Sequence, residues 1–477
     1  MKKADVYNII AESAQKWTNK PAITDEKESI SFLKLHDEVE KLKELLLKSG
    51  LTEGAGLGIM AKNSSAFIIA VFAGLACGAV ILPISHQIKA AELESFIKET
   101  KFHAIIDDKS GIIPPLEDTR ELISNGYSLR YSFNSSKNTI APHINNPAFI
   151  RFSSGTTGKS KGVIVSHESV FERIEAANKG LLLGENDNVL WVLPMAYHFI
   201  VSIVLYLKYG CTIVICNDFL AQSILDFSNK YKATMLYASP MHIRLLASDN
   251  SGKNLESLEK VISTSTSIST KICEAFKQRF NLNVSQAYGI IEIGLPIINL
   301  EKSNKHPESV GFALPDYEVE ILNKDLEILP SEEVGLLAIK GPGMFDGYLD
   351  PPAKREDILQ QGWFMTGDLA TKSKDGRITV VGRKKSMINV SGNKVFPEEV
   401  EATIEMHPDV KICHVFGEEH ILMGEIVKAE IVLQEGKIGN EEEIISFCRQ
   451  RLSTYKVPQK IYFVDKINTT GSGKIKR

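Results

Sequence analysis

The run Ser153, Ser154, Gly155, Thr156, Thr157, Gly158, Lys159, Ser160, Lys161, Gly162 mixes hydroxyls, glycines and ammonium groups in one short loop. That mixture is suited to holding phosphate. Glycines at 155, 158 and 162 let backbone N–H groups close on an anion, while the five hydroxyls and two lysines add donors and countercharge. A β-branched run, Val163 to Val165, follows and reads as a strand. Gly158-Lys159-Ser160 matches the end of a Walker A loop, but Ser153 stands where its first glycine belongs. A plain Ser/Gly linker is the bland alternative, and the strand that follows at once argues against it.

Further along, five segments could carry chemistry. Gln286-Ala287-Tyr288-Gly289-Ile290-Ile291-Glu292 follows an apolar strand, and alone its Tyr/Glu pair reads as a strand end. Gly341-Pro342-Gly343-Met344-Phe345-Asp346-Gly347-Tyr348 precedes Gly362-Trp363-Phe364-Met365-Thr366-Gly367-Asp368. The run Gly382-Arg383-Lys384-Lys385-Ser386 reads alone as a basic surface turn, and Thr470-Gly471-Ser472-Gly473-Lys474 as a solvated tail.

In this order and spacing the five segments resemble the adenylate-forming (AMP-binding) superfamily, and the resemblance covers nearly the whole chain. Its members include acyl-CoA synthetases, nonribosomal peptide adenylation domains and luciferases, and the pattern is most similar to the acyl-CoA and acyl-carrier-protein ligases. The resemblance implies ATP and Mg²⁺ as cofactors, with the Ser153 to Lys161 loop gripping pyrophosphate. It gives Tyr288, with Gly289 beside it, to adenine, Asp368 to the ribose hydroxyls and Arg383 to the ribose and phosphate side. Glu292 becomes the metal-binding carboxylate, Lys474 the catalytic lysine and Lys385 the hinge of a rotating lid. A positioned ammonium suits this chemistry, because carboxylate attack on an α-phosphate builds negative charge on phosphoryl oxygens.

Four positions depart from the family pattern. Ile291 replaces a threonine, Asn389 replaces a frequent lysine, and Thr264 and Ser265 replace glycines of the wall between adenine and the acyl pocket. Pro194-Met195-Ala196-Tyr197-His198-Phe199 is similar to the stretch that opens that pocket, and no acid lies between Pro194 and Gly210. An α-amino acid is therefore disfavoured, because its ammonium would go unpaired. Tyr197, His198, Phe199, Met241, Thr264 and Ser265 are the expected pocket residues, suited to a hydrophobic acid, with a fatty acid favoured over an aryl acid. Coenzyme A or a carrier-protein phosphopantetheine is the expected thiol acceptor. An aryl-acid ligase, a stand-alone adenylation enzyme, a luciferase-type oxidation and a non-catalytic nucleotide-binding homologue stay open.

The elements that must position these residues are those of an α/β protein. At 477 residues more than one core is expected. Strands such as Val189 to Leu193, Thr212 to Ile215 and Thr234 to Tyr237 alternate with helices such as Gln222 to Lys230 and Thr270 to Phe280, which predicts largely parallel sheets. The expected plan is an N-terminal domain, residues 1–381, of parallel-sheet α/β subdomains plus a small β-rich subdomain from Val310. A small, mobile α+β C-terminal domain, residues 382–477, follows and carries Lys474. Ala66 to Ile84 imitates a membrane span, but Gly74, Gly78 and Pro83 divide it into a helix from about Ser65 to Cys77 and a strand from Ala79 to Leu82. Phe199 to Cys216 divides likewise at Lys208 and Gly210.

A net charge of −4 gives no reason to expect nucleic acid or an anionic membrane as partner. Six cysteines without C-x-x-C spacing argue against a zinc site or disulfides. No signal peptide is evident at the N-terminus, and a cytoplasmic location is expected.

Overall fold

The computed structural model describes residues 4–100, 102–116, 118–133, 139–153, 161–391, 393–421 and 423–468. Among these, two nine-stranded sheets form the bulk of the chain. In the first, strands Pro21–Thr24, Thr212–Ile215, Asn188–Trp191, Met235–Ala238, Lys260–Ser263 and Val284–Ile290 run parallel. In the second, Gly56–Ala61, Val80–Ser85, Ala104–Asp107 and Pro147–Ser153 do so. The expected parallel pairing thus holds in the middle of each sheet, while the flanks are antiparallel. Two of these flanking pairs matter for the site: Val284–Ile290 with Gly294–Ile298, and Pro147–Ser153 with Lys161–Ser166, both antiparallel.

The membrane-like run resolves as the sequence suggests. Helix Ser65–Ala76 is capped by the Ser64 side chain and buried from Ser65 through Leu75, so no polar face is needed. Gly78 then takes φ +72° and strand Val80–Ser85 begins. Burying each of Phe67, Ile68, Ile69 and Phe72 contributes about 1.5–3 kcal/mol, which explains the apolar composition without a membrane. No helix among the described residues is long and apolar enough to cross one. The second run likewise gives helix Ile203–Lys208, Gly210 at φ +75° and strand Thr212–Ile215.

A four-stranded antiparallel sheet, Glu318–Leu322, Gly335–Lys340, Phe364–Lys372 and Ile378–Arg383, is the expected β-rich subdomain. Gly382 and Arg383, expected to open the C-terminal unit, belong to the last strand of this sheet. The C-terminal unit has its own five-stranded sheet beginning at Ile388 and its own core, including Val400, Ile404, Val427 and Ile444. All six cysteines are free and buried.

Candidate active site

Backbone pairing brings the adenosine-side residues together. Asp368 lies opposite Arg383 across strands Phe364–Lys372 and Ile378–Arg383, and Arg383 Nε reaches Asp368 Oδ1 at 2.9 Å. The Tyr288 hydroxyl donates to Asp368 Oδ2 at 2.5 Å. Burial, then the Asp368 charge, holds the Tyr288 phenol well above its ordinary pKa, so it stays a donor. A carboxylate has about four acceptor positions, so Asp368 with one donor on each oxygen can still accept two hydroxyls. Asp368 is 4 % exposed, while its partner Arg383 is far more open, which leaves the cluster reachable from one side. Gly289 is required here by close approach, since a Cβ would meet the Gly294 carbonyl oxygen at 2.5 Å.

Glu292 sits in the turn after this strand. Its carboxylate accepts from the Tyr348 hydroxyl at 3.4 Å, and burial raises its pKa. Lys161 lies over the Tyr348 ring at 4.8 Å, and a cleft lined by Lys161, Tyr348, Gln360, Phe364 and Met365 opens beside them. Among the described residues Glu292 has no cation within 4.0 Å and no group of three metal-ligating side chains occurs. A half-buried carboxylate on which Arg383 and Arg173 act only from beyond ion-pair distance fits a hard cation whose remaining ligands are phosphate oxygens and water.

What holds Glu292 is a residue the sequence reading missed. Arg173, on helix His167–Leu181, is fully buried and donates to the Gly343 oxygen from Nε at 2.9 Å and Nη2 at 2.6 Å. Its Nη1 donates to the Ile291 oxygen at 3.1 Å. The Glu172 carboxylate accepts from Gly343 N at 2.8 Å, and the Phe345 amide donates to the Glu292 backbone carbonyl at 2.7 Å. One guanidinium therefore ties the turn before Glu292 to the 341–347 segment. Gly343 has φ +64°, and a Cβ there would come within 2.4 Å of the Arg173 backbone. Burial lowers the Arg173 pKa to about 10, which still leaves it charged at neutral pH. The signal was present in the sequence: Arg173 shares helical spacing with buried Val170, Ile174 and Ala177, an apolar face with no reason to admit a cation.

On the acid side, Trp191 stacks on Tyr237 with ring centroids 6.0 Å apart, and His198 stands edge-on to both. Thr264 is buried and its side chain hydrogen-bonds the Tyr237 hydroxyl. Ser265 Oγ lies 3.4 Å from His198 Nε2, and Ser265 takes φ +80°, a conformation that suits the family's glycine and strains a residue with a Cβ. Tyr197 carries the Arg151 guanidinium 5.1 Å from its ring centroid. Two expected pocket residues lie elsewhere. Phe199 is 1 % exposed and packs among Phe67, Phe72 and Phe149, because its ring completes the core between the sheets. Met241 is 51 % exposed at the start of helix Pro240–Ala247, where it meets solvent.

Lys385 is exposed in a 3-10 turn, Lys384–Ser386, between the two domains' sheets. Arg244 and Glu405 pair across the domains at 3.3 Å. Ser154, Gly155, Thr156, Thr157, Gly158, Lys159 and Lys474 lie outside the described residues, as does the Ser153 side chain; the Ser153 backbone pairs with Lys161. Ile291 contributes its carbonyl to Arg173, and Asn389 is exposed with its amide on Glu425.

Comparison with known proteins gives the same reading. The model of the AMP-binding enzymes matches residues 10–349, and that of the AMP-binding enzyme C-terminal domain matches residues 399–474. An oxalate–CoA ligase of Arabidopsis thaliana is 27% identical over 98% of this chain and 96% of its own. A feruloyl-CoA synthase of Amycolatopsis is 25% identical over 94% of this chain and 92% of its own. The amide bond synthetase McbA of Marinactinospora thermotolerans superposes with a TM-score of 0.85 at 22% identity, covering 98% of both chains, and shows the fold. The chain belongs to the AMP-binding enzymes, the adenylate-forming superfamily.

Proposed function

We propose that the protein is an AMP-forming acid–thiol ligase that activates a carboxylic acid with ATP and transfers the acyl group to coenzyme A. The observation that carries this reading is the joined cluster of Tyr288, Asp368 and Arg383, with Glu292 held nearby by Arg173. In the first step a substrate carboxylate oxygen attacks the α-phosphorus of ATP, the bond to the bridging oxygen breaks, and pyrophosphate leaves. Asp368 binds the ribose hydroxyls, Arg383 neutralises charge beside them, and Lys161 with the rest of its loop binds the departing pyrophosphate. Glu292 would hold Mg²⁺, which supplies charge neutralisation at the phosphates. In the second step the thiol loses its proton, its sulfur attacks the acyl carbon, and AMP leaves.

The support for a long apolar acid is weaker in the structure than in the sequence. Of the aromatic and apolar residues that suggested it, Phe199 is core and Met241 is surface, while Thr264 and Ser265 add side chains to the wall. The relatives, by their names, act on acids as different as oxalate and ferulate, so they favour no one acid.

Pyrophosphate release from ATP tests the reading, with a panel of carboxylic acids and with and without coenzyme A. Release that depends on the acid, with thioester formed when coenzyme A is present, is expected. ATP binding with no acid-dependent release from any acid would overturn the ligase reading. Lys474→Ala is expected to abolish adenylate formation while leaving thiol transfer from supplied acyl-AMP largely intact; equal loss of both steps would refute its assignment to adenylation.

A further inference from the structure

Arg151 has no role in what precedes, and its setting is unusual. It lies on strand Pro147–Ser153, opposite Val163 and two residues before the phosphate loop begins. Successive strand residues face opposite ways, so Arg151 shares a face with Phe149, which packs on Phe199 between the two large sheets. Neighbouring Ile150, on the other face, is wholly core. A guanidinium thus replaces an apolar side chain on an inward face.

Its surroundings leave the charge without a partner. Among the described residues no carboxylate lies within 4.0 Å of it and no hydrogen bond to it occurs, while the Tyr197 ring lies under it. The Glu292 carboxylate acts on it from beyond ion-pair distance. Burial lowers the Arg151 pKa to about 10, so the group is charged at neutral pH, and it is only half-buried, so one side stays open. An inward-facing cation without an anion is costly, and the planar fork of arginine matches a carboxylate in two parallel hydrogen bonds.

We infer that Arg151 is a specificity-determining residue that pairs with a second anionic group on the acid, so that the substrate is a short dicarboxylic acid. The inference rests on the ligase reading above. Tyr197 links Arg151 to the segment that carries His198, and so to the acid side of the site. Thr264 and Ser265, larger than the family's glycines, add side chains to the wall on that side, and a short acid fits the reduced space.

The test compares the wild-type chain with Arg151→Met and Arg151→Lys, using malonate, succinate and glutarate against propanoate, butanoate and hexanoate, with thioester formation as the readout. The wild type is expected to prefer a diacid over the monoacid of similar length by about 100-fold in kcat/KM. In Arg151→Met that ratio is expected to fall by about 100-fold, mainly through KM of the diacid, with Arg151→Lys in between. A wild-type preference for monoacids would overturn the inference. So would an equal loss with all acids in Arg151→Met, which would give Arg151 to the reacting carboxylate or the phosphates. Calorimetric titration of succinate into each protein with a non-hydrolysable ATP analogue separates the two readings: if no acid turns over, the ligase reading fails, and Arg151 is still decided by whether succinate binding is lost in Arg151→Met or is the same in both. Circular dichroism confirms that the variants are folded, and Arg151→Lys carries the comparison if Arg151→Met is not.

Discussion

Replacing Arg173 by methionine would show whether this buried cation positions Glu292. The side chain makes three hydrogen bonds, at 2.9, 2.6 and 3.1 Å, to the carbonyls of Gly343 and Ile291. Methionine fills similar volume but leaves both acceptors without that donor, at about 1–3 kcal/mol each. Removing the charge returns part of this, because burial already disfavours it enough to lower its pKa to about 10. A net loss of about 2–4 kcal/mol is expected, read as a lowered midpoint of urea unfolding of the full chain. Fold stability alone would not show positioning. The second readout is the Mg²⁺ concentration for half-maximal pyrophosphate release, expected to rise several-fold as the turn before Glu292 loosens, with Arg173→Lys intermediate. A variant as stable as the parent, with unchanged Mg²⁺ dependence, would refute the argument that Arg173 clamps the two segments.

Two further perturbations follow from the same geometry. Ser265→Gly removes a Cβ from a residue at φ +80°, relieving about 1–2 kcal/mol of strain and adding about 0.5–1 kcal/mol of unfolded-state entropy. A modest net rise in thermal midpoint is expected, and a fall would show that the hydroxyl near His198 outweighs the strain. For Glu292, burial raises the folded pKa above its ordinary 4.5. Below 4.5 the group is protonated folded or unfolded and costs nothing; as pH rises through the interval up to the folded pKa, it subtracts from stability. Mg²⁺ favours the ionised form, so in that interval the Mg²⁺ requirement is expected to increase as pH falls. Glu292→Gln should lose this pH dependence, and an unchanged profile would dissociate Glu292 from the metal.

Much of the site was legible because its residues are short-range signals. Gly289, Gly367 and Asp368 belong to short local motifs that fall within strands Val284–Ile290 and Phe364–Lys372, and the runs 66–84 and 199–216 announced their breaks through Gly78 and Gly210. In sequence Gly382 and Arg383 look like a linker, but strand pairing with Phe364–Lys372 claims them.

What the chain by itself determined was the order of elements, the family and the identity of the polar groups offered to a nucleotide. Only the tertiary structure decided what each side chain faces. Phe199 reads as a pocket residue until the sheets close over it, and Met241 until its helix turns it to solvent. Arg151 appears in sequence as one more surface charge, and Arg173 as a cation on an apolar helix face whose partners the sequence does not show. Their significance comes from partners over a hundred residues away for Arg173, and from an inward-facing strand position without an ion-pair partner among the described residues for Arg151. Burial and electrostatic pairing depend on distances between segments remote in sequence, and those distances exist only once the sheets have packed.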